Sequence, residues 1–279
     1  GGGGYPRLIR LAHAGDRTGH LLVSVTRGST QAVLESADEG ASFSELATIV
    51  PPGVLSIHGT GIIELADGTL LVSMALRYAG DFVSYDQRTF RMDDVVYRST
   101  DGGRTWSRLS SCARTDVPGT YGGIWEPDLH LDASGALVCM WSDETAQPTY
   151  SQTILQVVST DGGVSWGPPE PVVRLASPGL RPGMPTTARL GDGTWIMSYE
   201  ICGSPLDCAV HVRYSLDGRS WGSVTDAGQR VVTTSGHLPN AAPVFVVQLS
   251  LAMGLAILAE AGLSYLGFGA PPSVPSWGL

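Results

Sequence analysis

The stretch Ser99-Thr100-Asp101-Gly102-Gly103-Arg104-Thr105-Trp106 decides the fold, because close copies of it recur along the chain. One copy is Ser159-Thr160-Asp161-Gly162-Gly163-Val164-Ser165-Trp166, and a version one residue shorter is Ser215-Leu216-Asp217-Gly218-Arg219-Ser220-Trp221. A degenerate copy is Ser36-Ala37-Asp38-Glu39-Gly40-Ala41-Ser42-Phe43. The copies begin at positions 36, 99, 159 and 215. A period of about sixty residues predicts an array of equivalent structural units.

Each copy predicts a tight turn between two strands. Asp accepts hydrogen bonds from nearby backbone N–H groups, and Gly adopts positive φ without steric cost. The Ser or Thr ends one strand, and the aromatic residue begins the next by entering a hydrophobic layer. About sixty residues fit one four-stranded blade of a β-propeller with a long loop.

A second repeat, independent of these turns, supports the same architecture. Apolar runs follow a glycine in each unit: Leu21-Leu22-Val23-Ser24, Leu70-Leu71-Val72-Ser73, Leu137-Val138-Cys139-Met140 and Trp195-Ile196-Met197-Ser198. Such continuous runs are typical of strands that are buried on both faces. Shorter strands are expected before them, around residues 7–11, 60–65, 127–131 and 186–190. The sequence therefore predicts an all-β protein with four blades, ending near residue 232.

The composition limits the possible functions. The 36 glycines and 18 prolines in 279 residues suit a turn-rich β protein, and the formal net charge is −9. A negative charge disfavours nucleic acid or an anionic membrane surface as a partner. The four cysteines lack metal-ligand spacing and no phosphate-binding glycine loop is visible, so we predict no cofactor. Cys202 and Cys208 form either a disulfide or a pair of buried thiols.

Two glutamates are the strongest catalytic candidates. Glu126 lies between Trp125 and Pro127 at the start of a predicted strand, and Glu200 ends an otherwise apolar strand. Both positions fall at the mouth of the propeller axis, where ligands bind in this architecture. Apolar neighbours raise the pKa of a carboxyl group, and paired carboxyls of unequal pKa carry out glycosidic bond cleavage. The alternative is that both glutamates form ion pairs with nearby arginines.

The turn motif is the Asp box, and the chain resembles the six-bladed propellers of the sialidase superfamily. More specific motifs are Trp125-Glu126-Pro127-Asp128, Trp141-Ser142-Asp143-Glu144, Arg181-Pro182-Gly183-Met184-Pro185 and Ser198-Tyr199-Glu200-Ile201-Cys202-Gly203. They resemble the exo-arabinanases of glycoside hydrolase family 93 over roughly residues 5–225. The resemblance implies a retaining double displacement on α-L-arabinofuranosyl linkages in arabinan, with Glu126 as nucleophile and Glu200 as acid/base.

Five further residues are candidates for substrate binding. Trp125 offers an apolar platform for a sugar ring, although an indole at a strand start is as often part of the core. Asp143 bonds sugar hydroxyls, tunes Glu126 or simply ends a strand. Arg7 and Arg181 bond ring oxygens or pair with the glutamates. The fifth, Tyr199, is better suited to packing than to catalysis.

Two alternatives within the fold remain open. An exo-sialidase would need three arginines for the sugar carboxylate, but the first blade has Tyr5-Pro6-Arg7 where sialidases usually have Arg-Ile-Pro. A non-catalytic carbohydrate-binding propeller would need only the aromatic and hydrogen-bonding lining. We expect an oligo- or polysaccharide ligand, a monomer, and a secreted or periplasmic location.

The C-terminal part follows a different pattern. Residues 238–259 contain no charged side chain, and their length approaches that of a membrane span. This segment resembles the end of dipeptide/oligopeptide ABC-importer permeases, which implies an inner-membrane tail with a helix over about 242–266. A buried core helix is the alternative. We therefore predict a truncated propeller at 1–235 joined to a permease-like fragment at 236–279.

The resemblance also implies that this chain lacks blades that a complete enzyme of the superfamily has. Members of the superfamily close their ring with six blades, whereas four are visible here. An open ring leaves unpaired strand edges, and an apolar tail adds to them. We therefore expect that the polypeptide as given is an incomplete six-bladed propeller that is inactive or poorly folded.

Overall fold

The computed structural model describes residues 4–78, 91–115, 122–177 and 179–231. All of these belong to one compact unit, Gly1–Thr234, and the remaining unit, Ser235–Leu279, lies outside the described residues. The tail helix predicted over 242–266 therefore lies outside them as well. Within the described residues, no helix is both long enough and apolar enough to cross a membrane.

Sixteen strands form four antiparallel sheets of four strands among the described residues. Blade 1 contains β1 (Gly4–Arg10), β2 (Leu21–Arg27), β3 (Thr30–Ser36) and β4 (Ser44–Ile49). Blade 2 contains β5 (Val54–Glu64), β6 (Leu70–Tyr78), β7 (Met92–Ser99) and β8 (Ser107–Arg114). Blade 3 contains β9 (Ile124–Leu131), β10 (Leu137–Asp143), β11 (Thr153–Ser159) and β12 (Glu170–Val173). Blade 4 contains β13 (Arg181–Arg189), β14 (Trp195–Cys202), β15 (Ala209–Ser215) and β16 (Gln229–Arg230).

The predicted all-β, four-bladed propeller is thus confirmed. In each blade the strands pair in chain order, so the strand after the turn motif is the fourth, as the sequence predicted. The turn chemistry is also as expected. Asp101 accepts hydrogen bonds from the backbone N–H groups of Arg104 (3.0 Å) and Thr105 (2.9 Å), and Ser99 accepts one from Gly103 (2.8 Å).

Three hydrophobic cores lie between successive blades. Trp106 packs against the core between blades 1 and 2, Trp166 against that between blades 2 and 3, and Trp221 is buried in that between blades 3 and 4. The second strands send alternate residues to both sides: Leu70 faces the first of these cores and Leu71 the second. This two-sided burial explains their continuous apolar runs.

The first strands begin earlier than predicted, because each contains a β-bulge. The pairing register shifts near one residue of positive φ in each blade: Tyr5 (51°), Gly59 (88°), Glu126 (54°) and Met184 (56°). A bulge interrupts the alternation of side chains but lets pairing resume on its far side. The alternating sequence pattern therefore does not identify the residues before the bulge as part of the strand.

Candidate active site

Glu126 and Glu200 line the same cavity, which has a volume of about 240 Å³. Glu126 comes from β9 of blade 3, and Glu200 comes from β14 of blade 4. The other described residues that line it are Trp125, Glu144, Gln152, Arg181 and Cys202. The pair expected from the sequence is therefore brought together at the junction of two blades.

The bulge in β9 aims the Glu126 side chain. Register with β10 is lost between Trp125 and Asp128, so Glu126 leaves the regular alternation of the strand. Gly59, on the neighbouring blade 2, leaves room for this bulge, because a Cβ at Gly59 would lie 2.4 Å from the Cα of Glu126. Bulges often redirect side chains next to active sites. Here the redirected side chain reaches the cavity.

The two carboxyl groups have different electrostatic environments. The pKa of Glu126 is raised from 4.5 to about 7: burial is the largest cause and the charge of Glu200 adds to it, while a hydrogen bond from Ser142 and the charge of Arg7 oppose the rise. Burial also raises the pKa of Glu200, and the nearby Arg181 opposes that rise. Near neutral pH such a pair can hold one proton.

Arg181 is held by polar partners at the cavity wall. Its Nη2 donates to Oε1 of Glu144 and to Oε1 of Gln152 (2.6 Å), and its Nη1 donates to Oγ of Ser151 (2.9 Å). Glu144, which is 3% exposed, also accepts a hydrogen bond from the backbone N–H of Gly123 (3.0 Å). Arg181 therefore pairs with Glu144 and influences Glu200 through its charge.

Trp125 also lines the cavity. Its ring meets the imidazole of His58 edge to face, with centroids 5.1 Å apart. This contact with the first strand of blade 2 fixes an apolar surface beside Glu126. The placement agrees with the aromatic platform expected from the sequence.

Three predicted substrate-binding residues lie outside the cavity lining. Asp143 accepts hydrogen bonds from Nε1 of Trp141 (2.9 Å) and from the backbone N–H of Thr145 (2.9 Å), so its carboxylate closes a strand end. Tyr199 is buried in the core between blades 3 and 4, where its hydroxyl donates to the carbonyl of Ala227 (2.7 Å) and burial raises its pKa to about 12.

Arg7, on the first strand of blade 1, lies outside the cavity lining. It is 7% exposed, and its Nη2 donates to Oγ1 of Thr186 across from blade 1 to blade 4 (2.9 Å). Burial lowers its pKa, and the charges of Asp128 and Glu126 raise it. Its contribution to the site is a positive charge near Glu126.

Several residues of the site were not among the candidates chosen from the sequence, although Glu144 and Ser142 stand in the motif Trp141-Ser142-Asp143-Glu144. Glu144 and Gln152 line the cavity, and Ser142 donates a hydrogen bond to Glu126 (2.8 Å). Tyr5 is a further one, because the charges of Glu126 and Glu200 both raise the pKa of its phenol, after burial. A signal was present in the sequence: Tyr5, Glu126 and Met184 each precede a proline at the same position of a blade.

Of the two alternatives for Cys202 and Cys208, the structure has the disulfide. Cys202 is bonded to Cys208, and Cys112 is bonded to Cys139 between blades 2 and 3. Potential ligand atoms of Glu200, Cys202 and Cys208 lie within 4.8 Å of one another. Because both sulfurs are used in the disulfide, these residues do not form a thiolate metal site in this state.

Comparison with known proteins places this site in context. The α-L-arabinanase of Penicillium chrysogenum, solved with arabinobiose, is 26% identical, with a TM-score of 0.67 over 85% of this chain and 69% of that one. The family 93 α-L-arabinofuranosidase of Fusarium graminearum, also solved with arabinobiose, is 24% identical and has the same fold (TM-score 0.63, 84% and 68%).

A short match of another kind is also present. A protein of Brucella ovis that bears a peptide-permease name is 54% identical over 41 residues, which is 15% of this chain and 14% of that protein. The chain thus corresponds to only about one seventh of this curated relative. By contrast, the model of the BNR repeat-like domain matches residues 17–225, which is most of the chain. The chain therefore belongs to the BNR repeat-like domain family.

Proposed function

We propose that the propeller is an exo-acting, retaining glycoside hydrolase that cleaves α-L-arabinofuranosyl linkages. One observation carries the proposal: Glu126 and Glu200, from neighbouring blades, line one cavity. A double displacement needs one ionised carboxylate and one protonated carboxyl group, and a coupled pair that holds one proton near neutral pH supplies both. The similarity to an arabinanase solved with arabinobiose supports arabinan as the substrate.

In this mechanism Glu126 is the nucleophile and Glu200 is the acid/base. Glu126 is held by the hydroxyl of Ser142 at 2.8 Å, which suits a group that attacks from a fixed position. The acid/base must exchange its proton with water, and Glu200 lines the cavity and is partly exposed. Glu200 would protonate the leaving oxygen while Glu126 bonds the anomeric carbon. It would then activate the water that releases the sugar.

The cavity favours a neutral sugar over a sialoside. Its described lining contains the carboxylates Glu126, Glu144 and Glu200 but only one guanidinium, that of Arg181, which is paired with Glu144. An anionic sugar would meet a net negative wall. A neutral furanose meets hydrogen-bonding groups and the ring of Trp125.

The location and state of the chain are also proposed. The two disulfides suit an oxidising compartment, so we place the propeller in a secreted or periplasmic setting as a monomer. We also propose that this chain turns over its substrate weakly or not at all. Residues 236–279 are proposed to be a permease-like segment.

The decisive experiment detects a single catalytic event. The full 279-residue chain is incubated with an α-L-arabinofuranose-configured cyclitol aziridine, which reacts covalently with a retaining nucleophile, and is digested for mass spectrometry. We expect one adduct on Glu126, absent in Glu126→Gln and suppressed by arabinobiose. Slow labelling fits weak turnover. If the folded chain binds arabinobiose without being labelled, the non-catalytic binding function replaces this proposal. Labelling by a sialic acid analogue alone would support a sialidase.

A further inference from the structure

A hydroxyl group joins the bulges of blades 3 and 4 beside the proposed nucleophile. Ser142 is the penultimate residue of β10 and is 0% exposed. Its Oγ lies 2.8 Å from Oε2 of Glu126 and 2.9 Å from the backbone nitrogen of Met184. Glu126 and Met184 are the positive-φ residues of their respective first strands.

The two contacts determine where the single proton of this hydroxyl lies. The backbone N–H of Met184 can only donate, so Oγ of Ser142 is the acceptor in that contact. Its own proton is then directed to Oε2 of Glu126. The N–H of Met184 is available for this contact because the bulge shifts the pairing of β13 with β14 between Gly183 and Thr186.

The space around this contact is limited as well. A Cβ at Gly183 would lie 3.2 Å from Oγ of Ser142 and 2.2 Å from Nε2 of Gln152. The backbone of β13 thus approaches β10 closely, and glycine permits that approach. The hydroxyl has little freedom to turn to another partner.

We propose that Ser142 is a positioning residue for the Glu126 carboxylate, with its hydroxyl polarised by the Met184 amide and its proton committed to Oε2. This inference rests on the proposed function, because it assigns a role around the proposed nucleophile. It makes the seam between blades 3 and 4 part of the catalytic apparatus. A hydrogen bond to an ionised carboxylate favours the ionised form, which is the form a nucleophile needs.

Other charged or titratable groups also act on Glu126 and must stay constant in a test. They come from several elements: Arg7 and Tyr5 on β1, Asp94 on β7, Glu144 after β10, and Glu200 on β14. Replacing Ser142 alters none of these side chains. A change in the titration of Glu126 would therefore report the loss of the hydroxyl.

The test compares Ser142→Ala with Ser24→Ala. Ser24 is also a fully buried serine on a second strand, and its hydroxyl contacts Oγ1 of Thr60 on the first strand of the next blade (2.9 Å). It matches the blade-to-blade role of Ser142, but its hydroxyl contacts Thr60 and Nε2 of Gln31 (2.7 Å) instead of a carboxylate. The measurement is a ¹³C NMR titration of the Glu126 carboxyl in the full chain, assigned by its loss in Glu126→Gln.

We expect Ser142→Ala to raise the pKa of Glu126 by about one unit or more, since hydrogen bonds to charged groups are stronger than neutral ones. Ser142→Thr, which keeps the hydroxyl, should restore it, and Ser24→Ala should leave it unchanged. If Ser142→Ala does not fold, Ser142→Cys keeps most of the volume with a weaker donor and should shift the pKa in the same direction.

An unchanged pKa in folded Ser142→Ala, or an equal shift in Ser24→Ala, would overturn the inference. The titration needs no turnover, so it is independent of the labelling experiment. A chain that is never labelled, yet shows the shift, would refute hydrolysis and keep the contact. A labelled chain that shows no pKa shift would support hydrolysis and refute the role of Ser142. In a labelled chain, Ser142→Ala should slow labelling most below pH 7.

Discussion

Glu126 on the first strand of blade 3 and Glu200 on the second strand of blade 4 face one cavity, and the charge of Glu200 raises the pKa of Glu126. Neither carboxylate belongs to the core of a blade. The pair exists only because two blades pack side by side. Its titration therefore reports the assembly of this junction as well as its chemistry.

Removal of the second carboxylate should lower the pKa of the first. In Glu200→Gln the negative charge that opposes ionisation of Glu126 is absent, so we expect its pKa to fall below its value of about 7. NMR titration of the Glu126 carboxyl measures this shift. Glu170→Gln, at the start of the edge strand β12, is the control and should have no effect, because the Glu170 side chain is 44% exposed and pairs with Arg219. A pKa unchanged by Glu200→Gln would show that the two groups are too far apart to cooperate.

Glu126 should also make the fold less stable as the pH rises. Its pKa in the folded chain is raised from 4.5 to about 7, so between these values the folded state binds more protons than the unfolded state. Stability from this group is therefore present below pH 4.5 and is lost as the pH rises through 7. Glu126→Gln does not titrate and should be about 3 kcal/mol more stable than the parent at pH 8.

Urea denaturation of both proteins at several pH values checks this. The advantage of Glu126→Gln over the parent should shrink from pH 8 to pH 4.5, because the protonated carboxyl and the amide are both neutral. A constant difference across this range would contradict the raised pKa.

Loss of Arg181 should affect both stability and titration. Glu144 would keep its hydrogen bond from Gly123 but lose its cation while remaining buried. We expect Arg181→Ala to lower the free energy of unfolding by about 2–3 kcal/mol, since a buried charge is left unpaired. The pKa of Glu200 should rise, because Arg181 opposes that rise in the parent.

Two further variants separate these effects. Arg181→Lys keeps the charge but cannot reproduce the hydrogen bonds of Nη1 and Nη2. It should therefore lower the free energy of unfolding but change the pKa of Glu200 less than Arg181→Ala does. Glu144→Gln combined with Arg181→Ala should recover part of the lost stability. A double variant no more stable than Arg181→Ala would show that Glu144 is not the group left unpaired.

The Cys202–Cys208 disulfide should stabilise the rim of the cavity. It closes a loop with a sequence separation of 6, and Cys202 lines the cavity two residues after Glu200. The chain-entropy model gives about 2 kcal/mol for so short a loop. Replacing both cysteines with serine should therefore lower the unfolding free energy by about this amount, as measured by urea denaturation.

The same variant tests whether the rim positions Glu200. We expect weaker arabinobiose binding, measured by calorimetry, after removal of Cys202–Cys208. A double serine variant of Cys112 and Cys139, which are buried between blades 2 and 3, should lower stability without this loss. Equal binding losses in both variants would point to general destabilisation.

The all-β class and the four blades follow from the amino-acid sequence alone, because both depend on local chemistry. The turn around Asp101 uses hydrogen bonds within a few residues, and the run after Gly68 is apolar because both faces of β6 are covered. The glutamate pair was also predictable, since the start of a first strand, which holds Glu126, and the end of an antiparallel second strand, which holds Glu200, lie on the same side of the blades.

The contacts that hold the site together depend instead on the packing of the blades. The pairing of Arg181 with Glu144, the burial of Tyr199 in a core, and the link from Ser142 to Glu126 and Met184 all join different strands, most of them from different blades. The predicted first strand of blade 3 began at 127, so the bulge at Glu126 that re-aims its side chain was missed. Distances between blades depend on packing, and no local pattern of residues encodes them.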